Sequence, residues 1–281
     1  MQIYRSDWVA APRPSPEGVL YAATGDIHGC ADHLAALLTV LDGDFAAHQA
    51  ARPDGAGRMI FLGDYVSRGP DSAGVLHQVA RARPVPRVET IRLRGNHDQF
   101  LLDLVDGRLD PPEIADWLER ENGHATLQSF LAGGAECADD PERLARDPEV
   151  LRRVIPGDLL DLLRRLHATH RIPGYLFAHA GAHPLWSLDE HSPSTFWTIR
   201  RPFLTVPESM WPHGFAVIHG HTPSAFGNNG FRIGVDSNCP ATGVLTAVQL
   251  LDGRLRYVAA ASDATTPLPE IFRSRRQAAR S

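Results

Sequence analysis

The sequence contains no lysine, only three cysteines and no long apolar segment. All 28 basic residues are arginine, which we attribute to the base composition of the source genome rather than to function. Cys30, Cys137 and Cys239 are too few and too scattered to predict a disulfide framework or a thiolate zinc site. No run reaches the ~18 apolar residues of a transmembrane helix, and residues 1–16 lack the pattern of a secretory signal. We therefore expect a cytoplasmic protein.

The overall composition is that of a globular chain. It has 281 residues, of which 43% are hydrophobic and 22% charged, so a disordered or fibrous protein is excluded. The formal net charge of −5 argues against a nucleic acid or a membrane surface held by bulk charge. We expect neither as a partner.

One pattern occurs three times between residues 19 and 98. A short apolar run is followed by a polar loop and then by a stretch with helical spacing, with about 30 residues in each unit. The apolar runs lie at 19–23, 58–62 and 87–93. This alternation is typical of βαβ units and predicts a parallel sheet.

The rest of the chain follows a different pattern. Residues 99–174 show only helical spacing, and we expect a helical insert or cap there. Strands are predicted again at 175–178, 215–218 and 231–235, and the runs 243–250 and 255–259 predict a hairpin around Asp252-Gly253. We expect an N-terminal arm at 1–18, one domain at 19–262 and a basic C-terminal tail at 263–281.

Side chains that commonly bind metals follow five of the predicted strands. They are Asp26 with His28, Asp64, Asn96 with His97, His179, and His221. In open α/β sheets, ligands bind at the carboxyl ends of the strands. Mixed oxygen and imidazole donors favour manganese, iron or zinc over calcium or magnesium. One aspartate can bridge two ions, and two such ions can activate a shared water for in-line attack on phosphorus.

Two arginines and one histidine complete this set. Arg68 follows Asp64 by four residues and Arg94 precedes Asn96 by two, and arginine binds phosphate oxygens in a planar fork. His97 need not bind metal itself, and we predict that it protonates the leaving group as a general acid.

Three sequence blocks resemble the signatures of a known family. They are Gly-Asp-Ile-His-Gly at 25–29, Gly-Asp-Tyr-Val-Ser-Arg-Gly at 63–69 and Arg-Gly-Asn-His-Asp at 94–98. In this order they resemble the calcineurin-like metallophosphoesterases, and in particular the bacterial members of the phosphoprotein-phosphatase branch. That branch includes serine/threonine phosphatases and symmetrical diadenosine tetraphosphatases. His179-Ala180-Gly181 and Gly220-His221-Thr222-Pro223 match the two later histidine blocks, so the resemblance covers about residues 18–250.

The resemblance implies a fold and a set of residue roles. The fold is α/β, with two packed mixed β-sheets flanked by helices and the helical insert at 99–174. One metal would bind Asp26, His28 and Asp64, and the second would bind Asp64, Asn96, His179 and His221. Arg68 and Arg94 would hold phosphate, His97 would act as the acid, and Arg200 is our candidate for a further family arginine, with Arg201 as the alternative.

The resemblance also implies cofactors and a reaction. We expect two divalent metal ions, manganese first, with iron or zinc as alternatives. The expected reaction is phosphoester hydrolysis by a metal-bridging hydroxide, on a serine- or threonine-phosphorylated protein. The alternatives are a dinucleoside polyphosphate or another small phosphoester as substrate, and a non-catalytic phosphate-binding scaffold.

One position departs from the family pattern. The second block normally carries an aspartate three residues after the bridging one, where it pairs with the catalytic histidine, and this chain has Ser67 there. Serine can orient an imidazole but supplies no charge to stabilise its protonated form. We therefore expect either a lower pKa for His97 or another carboxylate in place of the missing partner.

Three further residues near these blocks have simpler interpretations. His219 can share a strand face with His221, but we favour a packing role because the implied ligand set is already complete. Asp71 is expected to cap a helix. Cys30 is expected to be a small buried residue rather than a nucleophile.

Overall fold

The computed structural model describes residues 1–83, 85–131 and 141–272, which contain twelve strands in two sheets. The strands are β1 Gln2–Arg5, β2 Val9–Ala10, β3 Val19–Thr24, β4 Ala56–Phe61, β5 Val88–Arg92, β6 Thr169–Ile172, β7 Tyr175–Ala178, β8 Ala216–His219, β9 Gly227–Asn229, β10 Arg232–Gly234, β11 Val244–Leu251 and β12 Arg254–Ala261.

Ten α-helices occur in the same residues. They are α1 Ala31–Ala51, α2 Ser72–Arg81, α3 Asn96–Val105, α4 Pro111–Arg120, α5 Gly123–Leu131, α6 Pro141–Ala145, α7 Pro148–Val154, α8 Gly157–Arg164, α9 Thr195–Thr198 and α10 Cys239–Thr242. Asp71 caps α2, as the sequence predicts, by accepting a hydrogen bond from Gly74 N. Within the ranges described above, no helix combines the length and apolar character needed to cross a membrane.

The first sheet has the strand order β1-β12-β11-β3-β4-β5, and β2 also pairs with β12. The neighbours β3, β4 and β5 are parallel, which confirms the prediction from the repeated strand, loop and helix pattern. Strands β11 and β12 form the expected antiparallel hairpin. Its turn places Asp252 and Gly253 at φ angles of 48° and 69°, as a type I′ turn requires.

The second sheet has the order β6-β7-β8-β10-β9, in which β7, β8 and β10 are parallel. The expected helical stretch ends earlier than 174, because α8 ends at Arg164 and β6 then pairs antiparallel with β7. Strand β6 has four residues and is followed by Pro173-Gly174, so it is too short to show an alternating pattern in the sequence.

Both ends of the chain contact the first sheet. Residues 1–18, predicted as an arm, contribute β1 and β2, which pair with β12 at the sheet edge. At the other end, Leu268 and Phe272 pack beside the same strands. Residues 273–281 of the predicted tail lie outside the described residues, and the division into arm, domain and tail stays a prediction.

The two sheets pack face to face around one apolar layer. Tyr21 of the first sheet stacks on Phe177 of the second, with ring centroids 6.4 Å apart. The other face of the first sheet is covered by helices, and α1 packs there through Leu34, Leu37 and Phe45. Each such buried side chain contributes about 1.5–3 kcal/mol relative to an exposed one. This layered packing brings the carboxyl ends of both sets of parallel strands to one edge.

Candidate metal centre

The structure brings all six sequence-predicted metal ligands to that common edge. Asp26 and His28 follow β3, Asp64 follows β4, Asn96 opens α3 after β5, and His179 and His221 follow β7 and β8. Candidate donor atoms of His28, Asp64 and His97 lie within 4.8 Å of one another, and so do those of Asp64, His179 and His221. Asp64 belongs to both groups and is the centre of the cluster.

Several short distances define this cluster. Asp64 Oδ2 lies 3.4 Å from His28 Nε2 and 3.3 Å from His179 Nε2. Asn96 Oδ1 is 3.2 Å from the same His179 nitrogen. On the far side, both carboxylate oxygens of Asp26 accept a hydrogen bond from His221 N, at 3.1 and 3.0 Å. The six side chains therefore converge although they span almost 200 residues.

Backbone carbonyls fix the orientation of two of the imidazoles. His28 Nδ1 donates to Val66 O at 2.8 Å, and His179 Nδ1 donates to Leu62 O at 3.1 Å. Because a carbonyl only accepts, each Nδ1 carries a hydrogen, and Nε2 is the nitrogen that each ring can offer to a cation. Metal-bound histidines commonly have this second hydrogen bond. His221 Nε2 is buried and has no hydrogen-bond partner among the residues described.

The backbone adopts unusual conformations at these residues. His28, Asp64 and His221 have φ angles of 46°, 53° and 63°, in the left-handed region that non-glycine residues seldom occupy. Each such residue costs of order 1 kcal/mol, so the surrounding structure must hold it in place. Ile27 N and His28 N both donate to Asp64 O, at 3.1 and 2.9 Å, which ties the first two loops together.

Two glycines allow the loops to approach closely. A Cβ atom at Gly95 would overlap Asp64 Oδ1, and one at Gly220 would overlap Asp26 Oδ1. A larger residue at either position would displace a carboxylate of the cluster.

The cluster buries four carboxyl groups close together. Asp26, Asp64, Asp98 and Asp236 are each 2% exposed or less. A buried, uncompensated carboxylate costs several kcal/mol. Burial raises the pKa of Asp26, and the Asp236 carboxylate raises it further. Bound cations would supply the missing compensation.

The neighbouring groups give the ring nitrogens different protonation states. Burial lowers the pKa of His28 and of His221 to about 3, so both rings are neutral and able to bind metal near pH 7. Burial also lowers the pKa of His179, but Asp64 and Asp26 raise it to about 9. Burial raises the pKa of Asp64, whereas His179 and His97 hold it well below its usual range. A cation bound here would replace the proton of His179.

Asp98 is a site residue to which sequence reasoning assigned no role. Its Oδ2 accepts hydrogen bonds from Asp64 N at 2.9 Å and Gly95 N at 2.8 Å, and its Oδ1 accepts one from Tyr65 N at 2.9 Å. One buried carboxylate thereby joins the second and third sequence blocks. Its place as the last residue of the third block is the only signal in the sequence.

Arg68 lies across the cluster and is held by the helical insert. Its Nη1 is 3.2 Å from His28 Nε2, and its Nη2 is 3.3 Å from His97 Nε2. Its Nε donates to Glu121 Oε2 at 2.7 Å, and its backbone N donates to Glu121 O at 2.7 Å. Asn122 Nδ2 donates to Arg68 O at 2.9 Å. Glu121, which the sequence reasoning missed, therefore orients the guanidinium.

The position of Ser67 also depends on the insert. Ser67 is fully buried, and its Oγ accepts a hydrogen bond from Trp117 Nε1 at 2.9 Å. His97 Nδ1 is buried without a hydrogen-bond partner in the described part of the chain. The carboxylate of Glu121 lies 3.9 Å from the other ring nitrogen, Nε2. Burial lowers the pKa of His97, while Asp64 raises it and Arg68 lowers it.

The two remaining predicted arginines have different surroundings. Arg94 Nη2 donates to Leu163 O at 2.8 Å and to Arg164 O at 3.1 Å, at the end of α8. Its phosphate-binding role stays a prediction. Arg200 is exposed, and its charge contributes to the lowered pKa of His221. Its role and the alternative of Arg201 are likewise untested predictions. His219 is fully buried and packs edge-on against Phe203, with ring centroids 5.1 Å apart.

A sheet edge that gathers carboxylates, an amide and imidazoles around one aspartate is typical of metal-dependent hydrolases. The chain belongs to the calcineurin-like phosphoesterase family, whose model matches residues 20–243. This confirms the family resemblance and the α/β fold with two mixed sheets.

Curated relatives carry a more specific name. The chain is 31% identical to a symmetrical bis(5'-nucleosyl)-tetraphosphatase of Cellvibrio japonicus, over 60% of the chain and 47% of that protein. It is 29% identical to the protein of the same name from Janthinobacterium sp., over 87% of the chain and 72% of that protein. In the first of these matches the chain spans about half the length of its relative.

A solved structure gives a similar result. A crystal structure of a protein proposed to be a diadenosine tetraphosphatase superposes with a TM-score of 0.55. The sequences are 25% identical, and the match covers 87% of this chain and 95% of the other.

Proposed function

We propose that the chain hydrolyses dinucleoside polyphosphates and splits a tetraphosphate into two nucleoside diphosphates. The observation that carries this proposal is the 29% identity, over 87% of the chain, to a relative named as a symmetrical tetraphosphatase. From the sequence alone, a phosphoprotein is the first expected substrate and a dinucleoside polyphosphate the alternative. The relatives favour the second.

The donor set of this structure fits two divalent cations. We propose Asp26, His28 and Asp64 for one cation and Asp64, Asn96, His179 and His221 for the other. The unpartnered His221 Nε2, the backbone hydrogen bonds that orient His28 and His179, and the buried carboxyl groups all support this assignment. When bound, the cations neutralise phosphate charge and activate water for attack on phosphorus. The mixed donors suit manganese, with iron or zinc as alternatives.

The side chains of this protein bind and orient the substrate around those cations. Arg68 faces the cluster with both Nη atoms and would donate to phosphate oxygens. Glu121 holds the guanidinium in that orientation from its other edge. His97 is placed to donate a proton to the departing oxygen.

The surroundings of His97 favour an anhydride over a phosphoserine. A departing serine alkoxide is strongly basic and needs a proton, whereas a departing nucleoside diphosphate is a weak base and needs little help. His97 Nδ1 has no hydrogen-bond partner in the structure as described, and the family aspartate is replaced by Ser67. Without a carboxylate at Nδ1, the protonated imidazole is poorly stabilised. This site is therefore better suited to the good leaving group.

The cleft beside His97 can take the nucleoside part of such a substrate. Its volume of about 540 Å³ lies within the range of ~300–1,000 Å³ that is typical of ligand pockets. Phe100 stacks on Trp117 in its wall, with ring centroids 5.5 Å apart. The carboxylates of Glu113 and Asp116 also line it and can accept hydrogen bonds from ribose hydroxyls.

The direct test compares two substrates on the purified chain with manganese. We expect kcat/KM for diadenosine tetraphosphate to exceed that for a phosphoserine peptide by at least about 100-fold, because the leaving groups differ so strongly in basicity. The product should be two molecules of ADP. A chelator should abolish activity and added manganese should restore it. Faster hydrolysis of the phosphopeptide, or release of AMP with ATP, would contradict the proposal.

The contribution of Glu121 can be measured in the same assay. Glu121→Gln preserves the shape of the side chain but removes the charge that orients Arg68, and we expect kcat/KM to fall about tenfold, mainly through KM. Glu119→Gln, two residues away on the exposed side of α4, is the matched control and should behave as the parent. Equal kinetics for the two variants would show that Arg68 needs no support from Glu121.

A further inference from the structure

A second group of metal-binding side chains lies outside the centre described above. The candidate donor atoms of Cys30, His33 and Cys239 all lie within 4.8 Å of one another. Cys30 and His33 stand at the start of α1, three residues apart on one helical face, while Cys239 opens α10. Cys30 and Cys239 are 7% and 1% exposed. The fold thus joins cysteines that are more than 200 residues apart in the sequence.

We propose that Cys30, His33 and Cys239 form a separate site for one soft divalent cation of the zinc class. Two thiolates and one imidazole bind zinc or cadmium well and bind manganese poorly. Three protein ligands with a fourth position open to water are a common arrangement for zinc. The scattered cysteines of the sequence predict no such site, because only the packing of α10 against the start of α1 brings them together.

The hydrogen bonds of His33 leave one nitrogen free for a cation. His33 Nε2 lies 3.1 Å from Gly243 O and 3.0 Å from Ser262 Oγ. The Gly243 carbonyl can only accept, so Nε2 carries the hydrogen and Nδ1 keeps its lone pair. A hydrogen bond of this kind, from the ring nitrogen away from the metal, is usual for ligating histidines. Gly243 N also donates to Cys239 O at 2.8 Å. This hydrogen bond holds Gly243, whose carbonyl contacts His33, beside the second cysteine.

A cavity of about 370 Å³ leads to the three side chains. Cys30, His33 and Cys239 line it together with the oxygen-bearing side chains of Asp32 and Ser262. The cavity supplies an entry path and room for a water molecule in the fourth position.

The thiol pair is better explained as a cation site than as a nucleophile. A hydrogen bond with Cys30, together with burial, raises the pKa of Cys239. A reactive cysteine needs the opposite shift. A bound cation, in contrast, deprotonates a coordinating thiol outright.

A cation at this site would connect two loops of the protein. Cys30 follows the loop of Asp26 and His28, and Gly29 in that loop accepts a hydrogen bond from Asp71 N at 3.0 Å. Cys239 belongs to the connection between β10 and β11. The bound cation would therefore stabilise the fold without taking part in hydrolysis. This inference is independent of the proposed substrate.

The test uses a chain in which Cys137→Ser leaves only these two thiols. The protein is reduced, stripped with a chelator, saturated with manganese and then titrated with cadmium. We expect an ultraviolet thiolate-to-cadmium charge-transfer band that saturates at one cadmium per chain, is displaced by zinc and is accompanied by a higher Tm. Absence of the band from the reduced chain would overturn the proposal. Saturation at two cadmium ions per chain, with each thiol binding its own ion, would also overturn it.

The role of His33 is tested separately, because replacing a buried cysteine can impair folding. His33→Gln should weaken cadmium binding at least about tenfold while the charge-transfer band remains. His77→Gln replaces another half-buried helical histidine and should leave the affinity unchanged. Equal cadmium affinities for these two variants would remove His33 from the site and overturn the proposal as stated. None of these readouts depends on hydrolysis, so failure of the proposed function would not affect them.

Discussion

Replacing Asp64 with asparagine is expected to lower kcat for diadenosine tetraphosphate by at least about 1,000-fold. The Oδ2 atom lies 3.4 and 3.3 Å from the Nε2 atoms of His28 and His179, and it is the shared donor of the two proposed cation positions. A neutral amide has one carbonyl oxygen in place of two anionic ones, so both positions lose affinity. Oδ1 accepts a hydrogen bond from His97 N at 3.0 Å, so an amide that keeps its oxygen there presents an NH₂ group at the Oδ2 position, which cannot bind a cation.

Metal content separates this effect from a general loss of structure. We expect Asp64→Asn to retain fewer than two manganese ions per chain by elemental analysis and to keep a folded circular-dichroism spectrum. Asp54→Asn makes the same chemical change in an exposed loop and should match the parent in metal content and kcat. An Asp64→Asn protein with two bound ions and parental turnover would exclude Asp64 as the bridging ligand.

Replacing Asp98 with asparagine is expected to lower the free energy of unfolding by about 2–4 kcal/mol. The carboxylate accepts three backbone hydrogen bonds, from Asp64, Gly95 and Tyr65. An asparagine NH₂ group must face at least one of these N–H donors, in either orientation of the amide. A buried donor left without an acceptor carries most of the cost. Activity should fall as well, because the Asp64 loop loses its attachment to α3.

Urea denaturation measures this loss of stability directly. Burial and the nearby Asp64 charge raise the pKa of Asp98 to about 7, so measurements at about pH 8.5 compare an ionised carboxylate with the amide. Asp103→Asn lies on the same helix and removes a partly exposed ion pair with Arg108, for which the expected cost is below about 1 kcal/mol. Equal denaturation midpoints for the two variants would show that Asp98 does not hold the loops together.

The sequence alone predicts the part of this protein in which structure is locally encoded. The repeated strand, loop and helix pattern identifies the parallel strands β3, β4 and β5, because each unit has its own apolar periodicity. The positions of Asp26, Asp64 and Asn96 directly after these strands predict that they converge. For these three residues, sequence order and sheet topology are sufficient.

The features that the sequence does not reveal all depend on long-range contacts. Strand β1 is recognised only by its pairing with β12, more than 250 residues later. Glu121 contacts Arg68 across 53 residues, from a helical insert whose periodicity identifies helices but not their docking. Asp98 acts on backbone N–H groups, which leave no side-chain pattern to recognise. Cys30 and Cys239 are more than 200 residues apart in the sequence and come together only in the folded structure.

The docking of the insert on the Ser67-Arg68 loop limits how the protein can be redesigned or can diverge. Trp117 donates a hydrogen bond to Ser67, and Glu121 accepts one from Arg68. Both residues of the insert also line the cleft beside His97. A chimera that imports a foreign insert to change substrate preference would therefore also release the arginine from its support. Changes of selectivity in this scaffold are therefore best made at cleft-lining residues such as Phe100, Glu113 and Asp116, with Trp117 and Glu121 retained.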